Sequence, residues 1–305
     1  MFKLVPREED LIKLNAKLKA KQAQFHPGTR QWAFDALREW LADPSSPKKL
    51  FWLQGSAGTG KTAWSAEVVR RHGKQLAALH MCLHSDTSLN DPAKMLLSIA
   101  AQLCRTVDGF QEQLQQAHPP DRLFDLIAHT TALVDLFDGL LKAPLDALNA
   151  QDGERDARFI LIDALDECES GGQNALLQLI AQQFTKLPPW LRLVVTSRDE
   201  ELIKQRLSKF DPLSLNCDDN KKDAELYLRF ALQDKVEEGD MVKAVELMAE
   251  KSDSLFLYIG IAHQRLSEVE LGDGEWISLD DLGEFPDDME DVYKQNFDRV
   301  FGVTA

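Results

Sequence analysis

Cysteine is scarce in this chain of 305 residues, and its four cysteines, Cys82, Cys104, Cys168 and Cys217, are scattered, with no CxxC pair and no histidine cluster nearby. That spacing excludes a disulfide framework or a zinc site and predicts reduced, mostly buried thiols in an intracellular protein. Apolar runs are short. The longest, roughly Leu255 to Ala262, falls far below the ~18 residues that suggest a membrane span. The opening MFKLVPREED lacks the apolar core of a signal peptide. Positive charge is in deficit too, with 35 Lys and Arg against 50 Asp and Glu and a formal net charge of −15. A surface of that sign repels phosphate backbones and argues against a general nucleic-acid binder. The expectation is a soluble, cytoplasmic protein with neither membrane nor nucleic acid as partner.

What the chain does have is apolar material, 44% of its residues, enough for one large core or two modest ones. Leu4, Leu11, Leu14 and Leu18 recur at near-helical spacing among lysines, so Arg7 to Gln24 reads as an amphipathic helix broken by His26-Pro27-Gly28. Thr29 caps a second helix carrying Trp32, Phe34, Leu37, Trp40 and Leu41. Leu50–Leu53 then forms a short apolar run, followed by glycines and a helical pattern from Lys61 to about Arg71. Strand, loop, helix is the opening of a parallel α/β sheet. Further runs at Leu76–Leu83, Phe159–Ile162, Leu191–Val195 and Pro212–Leu215 supply its other strands, and the long stretch after the second run reads as mostly helical. Beyond Asp219 the pattern is helical throughout, which places a boundary near Asn216. From Glu270 to Asp291 there are ten acidic residues and no basic one, the composition of a solvated linker. The predicted layout is an N-terminal helix over 1–27, an α/β domain over 28–216, a helical domain over 217–269 and an acidic linker over 270–305.

Gly55-Ser56-Ala57-Gly58-Thr59-Gly60-Lys61-Thr62 fits GxxxxGK[ST] at every defined position. Glycines let successive backbone N–H groups turn around a phosphate beside the positive end of the next helix. Lys61 is predicted to reach the β- and γ-phosphates, and the Thr62 hydroxyl to ligate Mg²⁺. The strand Phe159-Ile160-Leu161-Ile162-Asp163 ends in a carboxylate at the sheet edge where ligands bind, a second Mg²⁺ contact. If the chain curls after it, Asp166 and Glu167 return to the same side and can position or deprotonate an attacking water. An extended continuation would carry them about 10 Å away. Arg198, closing Leu193-Val194-Val195-Thr196-Ser197-Arg198, is placed to sense a γ-phosphate, or else is a surface cation capping a strand.

GSAGTGKT, FILIDALDE and LRLVVTSRD, in that order and at these separations, resemble the Walker A, Walker B and sensor 1 elements of NACHT-type STAND NTPases. Small Ala164 followed by Asp166 and Glu167 is the feature that most resembles that family. PGTRQWAFDALREWL, DDNKKDAELYLRF and KSDSLFLYIGIAHQRL extend the likeness across about Phe25 to Arg299. The resemblance implies an ASCE-type P-loop NTPase fold (a parallel sheet flanked by helices, then a small all-helical domain), ATP/ADP and Mg²⁺ as cofactors, slow hydrolysis, and self-association or other protein partners. It also implies that Pro27–Arg30, and with them Thr29 and Arg30, lie near the adenine. The tail FPDDMEDVYKQNFDRVF resembles the start of the family's winged-helix domain, so the chain is expected to lack that domain's histidine and the sensor repeats.

Three rival functions stay open at this point. Asn220-Lys221-Lys222-Asp223 matches the [NT]KxD pattern that reads guanine, although a GTPase also wants DxxG where this chain has Asp166. A small-molecule kinase would need an acceptor pocket and an arginine-rich lid. A scaffold would bind nucleotide and turn over nothing.

Overall fold

The computed structural model describes residues 8–43, 46–86, 89–151, 155–168, 175–272 and 274–294. It divides into two compact units. The α/β unit comprises residues up to Ala23, Ala33–Gly55 and Lys61–Ser214; the helical unit comprises Gln24–Trp32, Ser56–Gly60 and everything from Leu215. The predicted boundary near Asn216 assigned neither of the two short N-terminal segments to the second unit.

In the α/β unit, five strands form one parallel sheet: β1 (Leu50–Gln54), β2 (Leu76–Met81), β3 (Arg158–Asp163), β4 (Leu191–Ser197) and β5 (Leu213–Ser214), in the spatial order β2-β3-β4-β1-β5. A parallel sheet covered on both faces demands strands that are apolar at nearly every position. Phe159, Ile160, Leu161 and Ile162 meet that demand, all completely buried. Arg192 is the charged residue inside β4, and its guanidinium donates to the carbonyls of Trp40 and Asp43. β4 lies between β1 and β3.

The helices of this unit are α1 (Glu8–Ala23), α2 (Gln31–Ala42) and α3 (Lys61–His72), then a helical insertion between β2 and β3. The insertion runs through α4 (Pro92–Thr106), α5 (Phe110–Ala117), α6 (Pro120–His129), α7 (Leu133–Phe137), one π-helical turn at Asp138–Lys142 and α8 (Ala143–Gln151). After β3 comes α9 (Ala175–Gln182), and after β4 comes α10 (Glu201–Arg206). Asp91 starts α4 by accepting from the N–H groups of Ala93 and Lys94, with Pro92 in the first turn where no donor is needed. On α3, Trp64 is fully buried and stacks on Phe34 and Phe51 at 5.7 and 6.1 Å, which anchors the helix that follows the glycine loop.

The helical unit has its own core, built from α11 (Asp218–Leu232), α12 (Met241–Ser252), α13 (Phe256–Glu268) and α14 (Leu279–Gly283). Part of the acidic stretch departs from the solvated linker expected there: Ile277, Leu282 and Val292 are buried in this core. Buried Lys251 secures the same stretch, donating to the carbonyls of Gly283 and Phe285 and to Asp287. Of the segment expected to start a winged-helix domain, Phe285 to Phe301, the part beyond residue 294 lies outside the described residues.

Candidate functional site

The glycine loop joins β1 to α3. Its first N–H, on Gly55, donates to the carbonyl of Ser197 at 3.3 Å, which ties the loop start to β4. Lys61 Nζ donates back to the Gly55 carbonyl at 2.7 Å. At the tip, Thr59 turns onto Ser56 through its Oγ1, which donates to the Ser56 carbonyl at 2.8 Å. Gly58 and Gly60 have φ of +80° and +83°, a region where an L side chain is strained. The N–H of Ser56 donates to Asn216 Oδ1 at 3.2 Å, and Ala57 is exposed. Because α3 begins at Lys61, the N–H groups of its first turn have no partner within the helix, and half-buried Thr62 lies among them. This combination of positive-φ glycines, helix-end N–H groups and a lysine at the helix start fits a phosphate.

Asp163 closes β3 and is 1% exposed. Its Oδ1 accepts from Ser65 Oγ at 2.6 Å and from Thr196 Oγ1 at 2.7 Å. Thr196 Oγ1 in turn accepts from the N–H of Ala164 at 3.0 Å. Ala164 has φ 57° and ψ 52°, a left-handed conformation that a small residue tolerates better than a β-branched one. The chain therefore curls into a short 3₁₀ turn, Leu165–Glu167, and does not run on as an extended strand. In this turn Asp166 meets Arg198: its Oδ1 accepts from the Arg198 N–H at 2.8 Å and its Oδ2 lies 3.0 Å from Nε. Asp166 is 4% exposed at its side chain, whereas Arg198 is 49% exposed. Glu167 Oε2 accepts from the N–H of His84 at 3.3 Å.

Thr29 and Arg30 belong to the helical unit, and both are 1% exposed. Thr29 Oγ1 donates to the His26 carbonyl at 2.7 Å. The Arg30 guanidinium donates to the carbonyls of Gly60 and Thr59 in the glycine loop, so the structure places this side chain on the loop backbone. Burial pushes its pKa down to about 10, against the opposing charge of Asp223. Asp223 closes the tetrapeptide that resembles a guanine reader. Its Oδ2 accepts from the Arg30 N–H at 2.7 Å and from Trp32 Nε1 at 3.0 Å.

Ser65 and Thr196 were not anticipated. Each had a faint signal: Ser65 is a hydroxyl set between buried, apolar Trp64 and Ala66 on α3, and Thr196 lies next to Asp163 once β3 and β4 are paired in the register Ile162 to Val195. Among the described residues, no group of three or more His, Cys, Asp or Glu is placed to hold a metal ion, and no helix is long and apolar enough to cross a membrane.

A family model described as Nephrocystin 3, N-terminal, matches residues 28–198. Among solved structures, the Walker-type ATPase PABY2304 of Pyrococcus abyssi is similar at 16% identity, over 90% of this chain and 73% of that one, with a TM-score of 0.49.

Proposed function

The chain belongs to the Nephrocystin 3, N-terminal, family over residues 28–198, and from that premise we propose that it binds ATP with Mg²⁺ and hydrolyses it slowly. In this proposal it is a cytoplasmic molecular switch of the NACHT-type STAND kind, signalling through nucleotide-dependent conformational change and self-association. Support comes from the pairing of a phosphate-type loop after β1 with a buried, doubly hydrogen-bonded Asp163 at the end of β3.

The roles follow from the chemistry of each group. Backbone N–H groups of Gly55 to Thr62 hold the phosphates, and Lys61 leaves the Gly55 carbonyl for a phosphate oxygen, trading a neutral acceptor for a charged one. Mg²⁺, when bound with the nucleotide, neutralises charge on the β- and γ-phosphates. Thr62 and Asp163 would hold it, with phosphate oxygens and water completing a set that Mg²⁺ favours over an all-protein cage. Ser65 and Thr196 both donate to Asp163 Oδ1, which orients the carboxylate. Glu167 positions and deprotonates the attacking water. Asp166 holds Arg198 at the end of β4, where its guanidinium can meet charge developing on the γ-phosphate.

Guanine is disfavoured by the state of Asp223. A guanine base would compete at that carboxylate with the Arg30 N–H and the Trp32 indole, which both donate to Oδ2. Mass spectrometry of nucleotide released from the denatured protein tests the base directly, and guanosine phosphates alone would overturn the adenine assignment. Lys61→Ala should weaken ATP by ~10–100-fold, the worth of one charge-assisted contact; unchanged affinity would sink the phosphate-loop function. Phosphate release without any acceptor separates this switch from a kinase and from a scaffold.

A further inference from the structure

Every peptide unit in an anion-binding loop carries a carbonyl as well as an N–H, and the carbonyls must face away from the anion for the N–H groups to face it. At the tip of this loop three consecutive carbonyls are held. The carbonyl of Gly58 accepts from the N–H of Leu257 at 3.0 Å. Those of Thr59 and Gly60 accept from Nη2 and Nη1 of one side chain, Arg30, the second at 3.1 Å.

Arg30 is unusual in four respects. It is one of the largest fully buried side chains of the protein. Its backbone has φ of 56°, which few residues other than glycine adopt without cost. Its guanidinium faces no carboxylate at ion-pair distance among the described residues; it lies over the ring of Phe256, 4.0 Å from the centroid. Its Nε is buried without a hydrogen-bond partner. A cation buried on these terms costs free energy that packing alone does not recover. Two neighbours hold it there nonetheless: Asp223 accepts from the Arg30 N–H and is itself braced by Trp32 Nε1. Gly60 leaves the space it needs, since a Cβ at that position would lie 2.9 Å from both Nη1 and Nη2.

We propose that Arg30 is a positioning residue of the phosphate loop, whose guanidinium turns the Thr59 and Gly60 carbonyls away from the phosphates while Asp223 and Trp32 lock its backbone. The proposal rests on the phosphate-loop function above. It assigns Arg30 to the loop and not to the base, and it gives the guanine-like tetrapeptide a structural task through Asp223. A fork of two N–H groups spans two adjacent carbonyls, whereas an ammonium offers no such fixed geometry. Lysine should therefore replace Arg30 poorly.

The test uses tripolyphosphate with Mg²⁺, a probe without a base, titrated calorimetrically against the full chain and its variants, with melting followed in parallel. Arg30→Ala should lose at least ~30-fold in affinity, since two charge-assisted bonds to the loop are lost together. Arg30→Lys should recover only a small part. Millimolar ethylguanidinium should restore binding to Arg30→Ala but not to Lys61→Ala, a rescue that a general loss of stability would not give. Gly60→Ala, which keeps Arg30 but crowds its guanidinium, should reproduce the loss without being rescued, and it stands in if Arg30→Ala fails to fold. Binding by both Arg30→Ala and Gly60→Ala within threefold of the native chain would overturn the proposal while leaving the loop function standing. If the native chain and Lys61→Ala bind tripolyphosphate equally or not at all, the loop function fails and this proposal falls with it.

Discussion

Replacing Thr196 by Val keeps the side-chain shape and removes one oxygen, which serves two bonds at once. Thr196 Oγ1 donates to Asp163 Oδ1 at 2.7 Å and accepts from the Ala164 N–H at 3.0 Å, and Thr196 is completely buried. A hydrogen bond to a charged group contributes ~1.5–3 kcal/mol, and an N–H left buried without a partner costs ~1–3 kcal/mol. Thr196→Val should therefore destabilise the α/β unit by about 3–5 kcal/mol. Ser65→Ala removes only the 2.6 Å bond to the same Oδ1 and should cost ~1.5–3 kcal/mol. Because the two hydroxyls share one acceptor atom, the double variant leaves Asp163 with neither donor, and its loss should exceed the sum of the single losses. Urea unfolding followed by tryptophan emission reads this unit preferentially, since Trp40, Trp52, Trp64 and Trp190 lie in it and only Trp32 and Trp276 lie outside. An unchanged m-value with a lower midpoint identifies a loss of stability without a change in the surface exposed on unfolding. A Thr196→Val midpoint corresponding to less than ~0.5 kcal/mol of destabilisation, the range of an ordinary surface substitution, would refute the claim that this hydroxyl organises the end of β3.

Glu167→Gln should lower kcat by ~10²-fold or more while leaving ATP affinity close to native, because a water-positioning group acts mainly in the transition state; equal loss in both quantities would assign Glu167 to binding. Asp166→Asn should lower kcat to a similar extent as Arg198→Ala, with little added by combining them, since the carboxylate acts through Arg198; additive losses would separate the two. His80 sits buried in β2 with Nε2 2.8 Å from the Leu89 carbonyl, and burial pushes its pKa down to about 4 from 6.5. The unfolded chain then takes up the proton first, so stability falls as pH drops from about 6.5 to 4, by about 3 kcal/mol in all. Urea midpoints across that window should drop less steeply in His80→Phe, and an unchanged slope would remove His80 as the cause.

Local features were legible without the fold. β1, the glycine loop and α3 lie within 25 consecutive residues, and their pattern of apolar strand, glycines and amphipathic helix is written in neighbouring side chains. The same holds for β3 ending in Asp163, and for α11, α12 and α13, whose apolar spacing marked them as helices of a separate core. Legibility failed where polar groups found distant partners. The acidic stretch from Glu270 read as solvated because its charges outnumber its apolar residues, yet Ile277, Leu282 and Val292 suffice to seat it on the helical core. Asn220-Lys221-Lys222-Asp223 matched a base-reading pattern, but pattern carries no information on which donors reach Asp223.

Sequence alone thus determined the parallel α/β class, the phosphate-type loop over Gly55–Thr62 and the acid at the end of β3, because each depends on backbone conformation and on contacts between near neighbours. Tertiary structure decided that Asp163 is held by Ser65 and Thr196, that Asp166 takes Arg198, and that Arg30 is committed to the carbonyls of Thr59 and Gly60. Those partners stand from about 30 to almost 100 residues apart in the chain. A buried polar atom must find some partner, but only the sheet order and the packing of helices bring one particular partner within reach.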